Sequence, residues 1–144
     1  MESGFADVIF LDDGSQIPPD QLEDHHTVRG IRLTNGYTLS FSSEPDMAIR
    51  DPRGSLIATI EVKYGLDPAG VLERYGAAKK SFESATRENA RVTNVYLASC
   101  ITPEVRRRTS EDRLVNQEHN LTEVLHDAGK RQEFLTDIRR LVRL

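Results

Sequence analysis

The stretch that decides the reading runs from Pro45 to Lys63, PDMAIRDPRGSLIATIEVK. It has the form of a β-hairpin, with Asp46–Arg50 as one arm, Asp51-Pro52-Arg53-Gly54-Ser55 as the turn and Leu56–Lys63 as the other arm. On a strand, residues two apart share a face. Leu56, Ala58, Ile60 and Val62 therefore make an apolar core face, and Glu61 and Lys63 stand together on the opposite one. With Pro52–Ser55 as a four-residue loop, Asp51 faces Leu56, and counting back sets Asp46 opposite Glu61. Directly opposed residues have Cβ atoms roughly 4.5–5.5 Å apart. Asp51 lies five residues up the arm, about 16 Å away at ~3.3 Å per residue. A slip of one residue would turn Asp46 to the wrong face, so the chemistry of the hairpin depends on its register.

Outward from this hairpin the patterns change. Upstream, Val28–Leu33 and Tyr37–Phe41 alternate apolar and polar residues around Asn35-Gly36, the signature of a second hairpin with a type I′ turn. Further upstream, Ala6–Leu11 reads as a strand, Asp12–Ser15 as a turn and Pro18–Glu23 as the opening of a short helix. Downstream, Asp67 is placed as an N-cap with Pro68 at the first helical position. Val71, Tyr75, Ala78, Phe82 and Ala85 then form one apolar stripe of a helix over 68–86. Val92–Ser99 reads as a buried strand ended by Thr102-Pro103. Residues from about Arg113 to Leu144 read as helical, with a break at Gly129 and an apolar face of Leu135, Ile138, Leu141 and Val142. The expected class is α+β, α/β/α-like: a mixed sheet built from hairpins and flanked by helices, in a single domain over 1–144.

Composition narrows the function classes. The 144 residues are 38% hydrophobic and 29% charged, enough to bury a core and too apolar for a fully disordered chain. Apolar runs fall far short of the roughly 20 residues of a membrane helix. Met1–Asp7 lacks a basic segment, so no signal peptide is expected, and the lone Cys100, read as a small buried hydrophobe after a strand, is compatible with a cytoplasmic location. The net charge of −4 argues against coating nucleic acid by bulk charge. The charge is uneven, however: residues 1–46 carry two basic residues against nine acids, whereas the remainder is mildly basic. That distribution suits a local polyanion site.

Two carboxylates opposed at hairpin distance repel and stay ionised together only with a cation between them. Mg²⁺ is the natural occupant, since it takes one or two carboxylates and otherwise keeps water or phosphate oxygens. The Val62 carbonyl could add a ligand. Lys63 would stand beside the ion, able to position or help deprotonate an attacking water and to stabilise charge on phosphate. The set suits metal-assisted hydrolysis of a phosphodiester. Taken alone, an E-x-K triplet on a strand is more often a solvated surface pair.

Pro45-Asp46 followed fifteen residues later by Glu61-Val62-Lys63 resembles the PD-(D/E)XK nuclease signature, with the following helix and strand in that superfamily's core order. The resemblance covers residues 37–100, and the stretch IEVKYGLDPAGVLERYGAAKKSF is similar to type II restriction endonucleases of the XcyI kind. It implies a restriction-endonuclease-like core and Mg²⁺-dependent cleavage of double-stranded DNA at a short site. Asp46 and Glu61 would be metal ligands and Lys63 the catalytic lysine. A homodimer would follow from cutting both strands of a palindrome. Polar residues of the following helix approach the scissile phosphate in that family, which brings in Arg74, Lys79 and Lys80 against the plainer reading of a solvated basic face. Arg106-Arg107-Arg108, read as a polar loop after the last strand, could hold further phosphates. Two departures stand out. The family's additional upstream acid has only Glu23 or Asp24 as candidates here, and family members are generally longer. A chain truncated at the N-terminus, or a non-catalytic remnant serving as a DNA- or protein-binding module, is the alternative. His25-His26 and the pair His119 and His126, the latter read as seven apart in a helix, lack metal-site spacing and are read as surface or structural.

Overall fold

In a computed structural model that describes residues 5–144, the chain forms one eight-stranded mixed sheet with four α-helices. The N-terminal reading of Met1–Asp7 falls largely outside the described residues. The strands are β1 (Ala6–Leu11), β2 (Gln16–Ile17), β3 (Val28–Leu33), β4 (Thr38–Phe41), β5 (Met47–Arg50), β6 (Leu56–Lys63), β7 (Thr93–Ala98) and β8 (Gln117–Asn120). The helices are α1 (Val71–Glu88), α2 (Pro103–Asp112), α3 (Leu121–His126) and α4 (Ala128–Leu141). Spatial order is β2-β1-β3-β4-β5-β6-β7-β8. Pairing is antiparallel from β2 to β6 and parallel from β6 to β8. The switch has a simple cause: short turns join the first strands, while α1 and α2 supply the long crossovers that parallel neighbours require.

Both faces of the parallel half are covered. Val71, Tyr75, Ala78 and Phe82 of α1 pack with Val105 of α2 on Tyr96 and Ala98 of β7. On the opposite face Leu121, Val124, Phe134, Ile138 and Leu141 close over Ile60, Val95 and Leu97. The apolar stripe read from sequence is thus the buried face of α1, and all five of its residues are buried. Asp67 caps the 3₁₀ turn Pro68–Gly70 that leads into α1, accepting from the Ala69 N–H at 3.0 Å. No helix of the described residues is long and apolar enough to cross a membrane.

Several local expectations are corrected. The first hairpin closes with the three-residue loop Thr34-Asn35-Gly36 rather than a type I′ pair: the Leu33 N–H donates to Tyr37 O, and only Gly36 has positive φ (91°). A third loop residue in the left-handed region absorbs the strand twist that a two-residue turn would otherwise have to match. The second hairpin likewise closes with a three-residue loop, Pro52-Arg53-Gly54, instead of the expected four-residue one. The Asp51 N–H donates to Ser55 O, so Leu56 pairs with Arg50 and not Asp51, and a bulge between that pair and Ile49–Ala58 then restores the expected register. The bulge turns Leu56 toward Ala85 of α1, whereas Ala58 faces the other side with Ile49 and Val142, so the expected four-residue face is split.

The C-terminal third is not continuous helix. The edge strand β8 intervenes, and His119 lies on it rather than in a helix. The helical break falls at Asp127, whose side chain caps α4 by accepting from the Lys130 N–H at 3.0 Å; Gly129 is already inside α4. Phe134 takes the packing role expected of Leu135, which is 42% exposed. Arg106, Arg107 and Arg108 lie on α2, not in a loop, because Thr102 accepts from the Val105 N–H and starts a helix where a strand end was expected.

Candidate active site

The site forms where the antiparallel half of the sheet meets the parallel half. Beyond the bulge the β5–β6 ladder pairs Met47 with Ile60 and Ala48 with Thr59. One step further sets Asp46 beside Glu61. Instead of extending the ladder, Asp46 offers its side chain: Oδ2 accepts from the Val62 N–H at 2.7 Å. The backbone N–H and C=O of one strand residue point to the same edge, so the Val62 carbonyl lies on that side too. Lys63 shares the face of Glu61, with Nζ 3.9 Å from Glu61 Oε2. Asp46, Glu61, Val62 and Lys63 are therefore brought together.

The face they share is not the open one expected. It is roofed by α1, and Glu61 is only 2% exposed. Its Oε1 has no hydrogen-bond partner. Burial drives the Glu61 carboxyl up from its ordinary 4.5 to about 7; the Ser81 hydroxyl of α1 opposes the rise, the nearby Asp46 carboxylate adds to it, and Lys63 counters it weakly. An open cavity of about 420 Å³ between β5, β6 and α1 adjoins this spot and is lined by Glu44, Pro45, Thr59 and Ser81 among others.

A buried acceptor oxygen without a donor, next to a second carboxylate, is a poor arrangement for two anions and a good one for a cation. Glu61 Oε1, the Asp46 oxygen not held by Val62, and the Val62 carbonyl are hard oxygen donors of the kind Mg²⁺ takes. The donor set fits such an ion with two acids. Among the described residues no group of three or more His, Cys, Asp or Glu side chains is arranged to hold a metal. Glu23 and Asp24 do not supply a third. They lie in the connection entering β3, three strands from β6, where Glu23 Oε2 is 3.2 Å from His25 Nδ1.

The basic residues divide. Arg74 donates to the Asp67 carbonyl at 2.6 Å and reaches that of Gly65 at 3.5 Å, which ties down the loop between Lys63 and α1. Lys79 pairs with Asp112 of α2 at 3.2 Å, and Asp112 also accepts from the Tyr75 hydroxyl at 2.8 Å. Burial of Asp112 is outweighed by those two contacts, so its carboxyl is held below the usual range. Arg106 Nε is 3.9 Å from Glu118 Oε2. Lys80 and Arg107 are exposed.

Two participants escaped the sequence reading. Ser81 sits at a sheet-facing position of α1, and a polar residue inside an apolar stripe was the available signal. Tyr96 pairs in register with Glu61 on one side and Glu118 on the other, fully buried with its hydroxyl unpartnered. Burial pushes that hydroxyl up to about 12, with Arg74 pulling the other way. Cys100 is free and half-buried against the α1 core.

No family model and no curated protein matches this sequence.

Proposed function

We propose that the protein is a Mg²⁺-dependent endonuclease that hydrolyses phosphodiester bonds of double-stranded DNA at a short specific site, working in the cytoplasm as a homodimer. The observation that carries this reading is the unpartnered Glu61 Oε1, buried beside Asp46 and within ion-pair distance of Lys63. Asp46, Glu61 and the Val62 carbonyl would hold the ion. When bound, it supplies Lewis-acid stabilisation of the phosphate and acidifies water.

The chain's own groups supply the rest. The Val62 N–H fixes the Asp46 carboxylate, so the carboxylate pair is set before substrate arrives. Glu61, with Oε2 3.9 Å from Nζ, keeps the Lys63 ammonium on the site's face. Lys63 orients the attacking water and faces the negative charge that grows on the phosphate oxygens. The water oxygen bonds to phosphorus in line, the P–O bond to the leaving oxygen breaks, and the water proton is released to solvent while the leaving oxygen takes one up.

Incubating the protein with supercoiled plasmid and Mg²⁺, with EDTA as control, and sequencing the ends tests the proposal. Cleavage that needs Mg²⁺ and falls at least ~100-fold in Glu61→Gln and Lys63→Ala is expected. Undiminished cutting by those variants refutes the assignment. One observation favours a second reading, a non-catalytic DNA- or protein-binding module: only two acids meet at the site, and Glu23 and Asp24 are remote. Mn²⁺ binding without any cleavage would select it.

A further inference from the structure

Immediately after Lys63 the chain exposes two large apolar side chains. Tyr64 is 73% exposed and Leu66 70%, the two highest values among the exposed large hydrophobics of the described residues. Isolated exposed apolar residues need no explanation. These two lie within three residues, on a short segment that is held down rather than loose. Arg74 grips the Gly65 and Asp67 carbonyls from α1. Its guanidinium packs so closely on the backbone that a Cβ at Gly65 would meet Arg74 Cζ at 3.1 Å, and one at Gly70 would meet Nη1 at 2.5 Å. Asp67 is engaged in capping the Ala69 N–H. The loop thus spends a buttressing arginine and two glycines on holding Tyr64 and Leu66 out in water.

We propose that Tyr64 and Leu66 form an apolar wedge that packs on nucleobases next to the phosphate handled at Lys63, so that the substrate is DNA whose base step there is unstacked. This rests on the nuclease reading of the neighbouring site. Consecutive Cα atoms are about 3.8 Å apart, and stacked nucleotides rise about 3.4 Å each. A side chain one to three residues beyond Lys63 is therefore within reach of bases one or two steps from a phosphate bound there. Aromatic faces stack on any base, and aliphatic wedges enter partly opened base steps. The pair directly follows Lys63, the residue proposed to face the phosphate, and that position commits the wedge to nucleic acid rather than to an apolar protein surface.

The test uses the full chain, Ca²⁺ in place of Mg²⁺, and two fluorescein-labelled 30-bp duplexes, one fully paired and one with a central mismatch carrying 2-aminopurine. The wild type is expected to bind the mismatched duplex more tightly and to quench 2-aminopurine by stacking. Tyr64→Ala/Leu66→Ala should weaken mismatch binding about 5- to 100-fold and abolish the quenching, with Tyr64→Trp retaining it. Both positions are exposed, and an unchanged Tm confirms folding. Equal binding and quenching by wild type and the double variant overturns the wedge while leaving a cutting wild type as a nuclease. A wild type that quenches but never cuts with Mg²⁺ overturns the nuclease reading and supports the wedge. A wild-type dimer that the double variant dissociates, with DNA binding unaltered, assigns the pair to a protein contact and overturns the proposal.

Discussion

The Asp46 carboxylate takes the place of a strand residue's backbone, accepting the Val62 N–H at 2.7 Å at the point where the β5–β6 ladder stops. This one bond ties an acid of the hairpin's first arm to the strand that carries Glu61 and Lys63. It also holds the Asp46 carboxylate close enough to Glu61 to raise that residue's pKa. Register and chemistry are therefore the same fact here: the pairing that puts Met47 on Ile60 also builds the carboxylate pair.

Asp46→Asn and Asp46→Ala separate the two roles of that residue. The amide oxygen of Asn can still accept from Val62, so the fold should persist with Tm little changed. The loss of one negative oxygen should weaken Mn²⁺ binding at least ~10-fold, as measured by calorimetry. Alanine leaves the Val62 N–H without its acceptor and should cost a further ~1–3 kcal/mol of stability. Equal metal affinity in wild type and Asp46→Asn would remove Asp46 from the metal site.

The pH dependence of the metal-free protein follows from Glu61. Its folded-state carboxyl titrates near 7, against 4.5 ordinarily. Between those values the folded protein binds the extra proton, so stability is fully present below about 4.5 and is lost as pH rises through 7. The difference amounts to about 3 kcal/mol. Urea unfolding in EDTA should show this decline between pH 4.5 and 8, and Glu61→Gln should flatten it. Because Glu61 lies under α1 and not on an open face, Glu61→Ala leaves a void there and is the poorer probe. Lys63→Ala trims a mostly buried side chain whose ammonium offsets the burial of Glu61 only weakly, so Tm should fall less than in Glu61→Ala.

Much of this arrangement was legible in the sequence, and the exceptions share a cause. The α+β class, the α1 stripe and the pairing near Asp46 follow from local periodicity and turn spacing. The bulge at Leu56 is invisible to period-two counting, because one extra residue reverses the face without altering composition. It offsets a loop one residue shorter than expected: that loop alone would set Asp46 opposite Ile60, and the extra residue brings it back beside Glu61. β8 escaped because Gln117-Glu118-His119-Asn120 has no apolar alternation; its pairing with Val95 through Ala98 of β7 makes it a strand. Burial of Glu61 was missed for a similar reason. Polar residues on a strand suggest solvent, but here the crossover helix covers them, and Thr59 and Asn94 beside them are buried as well.

Asn94 should prove among the costliest positions for stability. Its Oδ1 accepts from the Thr59 hydroxyl at 2.7 Å, and its Nδ2 donates to Thr86 Oγ1 at 3.2 Å and to the Leu114 carbonyl at 3.0 Å. One side chain thereby links β6, α1 and the segment entering β8. Asn94→Ala should cost about 3 kcal/mol or more, since it takes the partner from the buried Thr59 hydroxyl and from the Leu114 carbonyl, while Thr86 keeps its bond to the Phe82 carbonyl. Thr59→Val should cost less, because it removes one donor and leaves Nδ2 satisfied. A double-mutant cycle by chemical denaturation measures the coupling, and additive losses would show that the two residues act independently.

The clamp between Arg74 and the two glycines sets a last expectation. Gly70→Ala places a Cβ 2.5 Å from Arg74 Nη1, which must swing out and release the Asp67 carbonyl. Gly65 has φ of 108°, where an L side chain is strained in addition to meeting the guanidinium. Either alanine, and equally Arg74→Ala, should loosen residues 64–67 without unfolding the sheet, because α1 keeps its buried stripe. Limited proteolysis by chymotrypsin, which cuts after Tyr64 and Leu66, should then speed up several-fold, while global stability falls by only about 1–2 kcal/mol. One nitrogen, Nη2, reaches both carbonyls; Arg74→Lys retains the charge but lacks the rigid planar group that holds that nitrogen in place. It should behave like the alanine variant in proteolysis, and protection equal to wild type would mean that charge alone holds the loop.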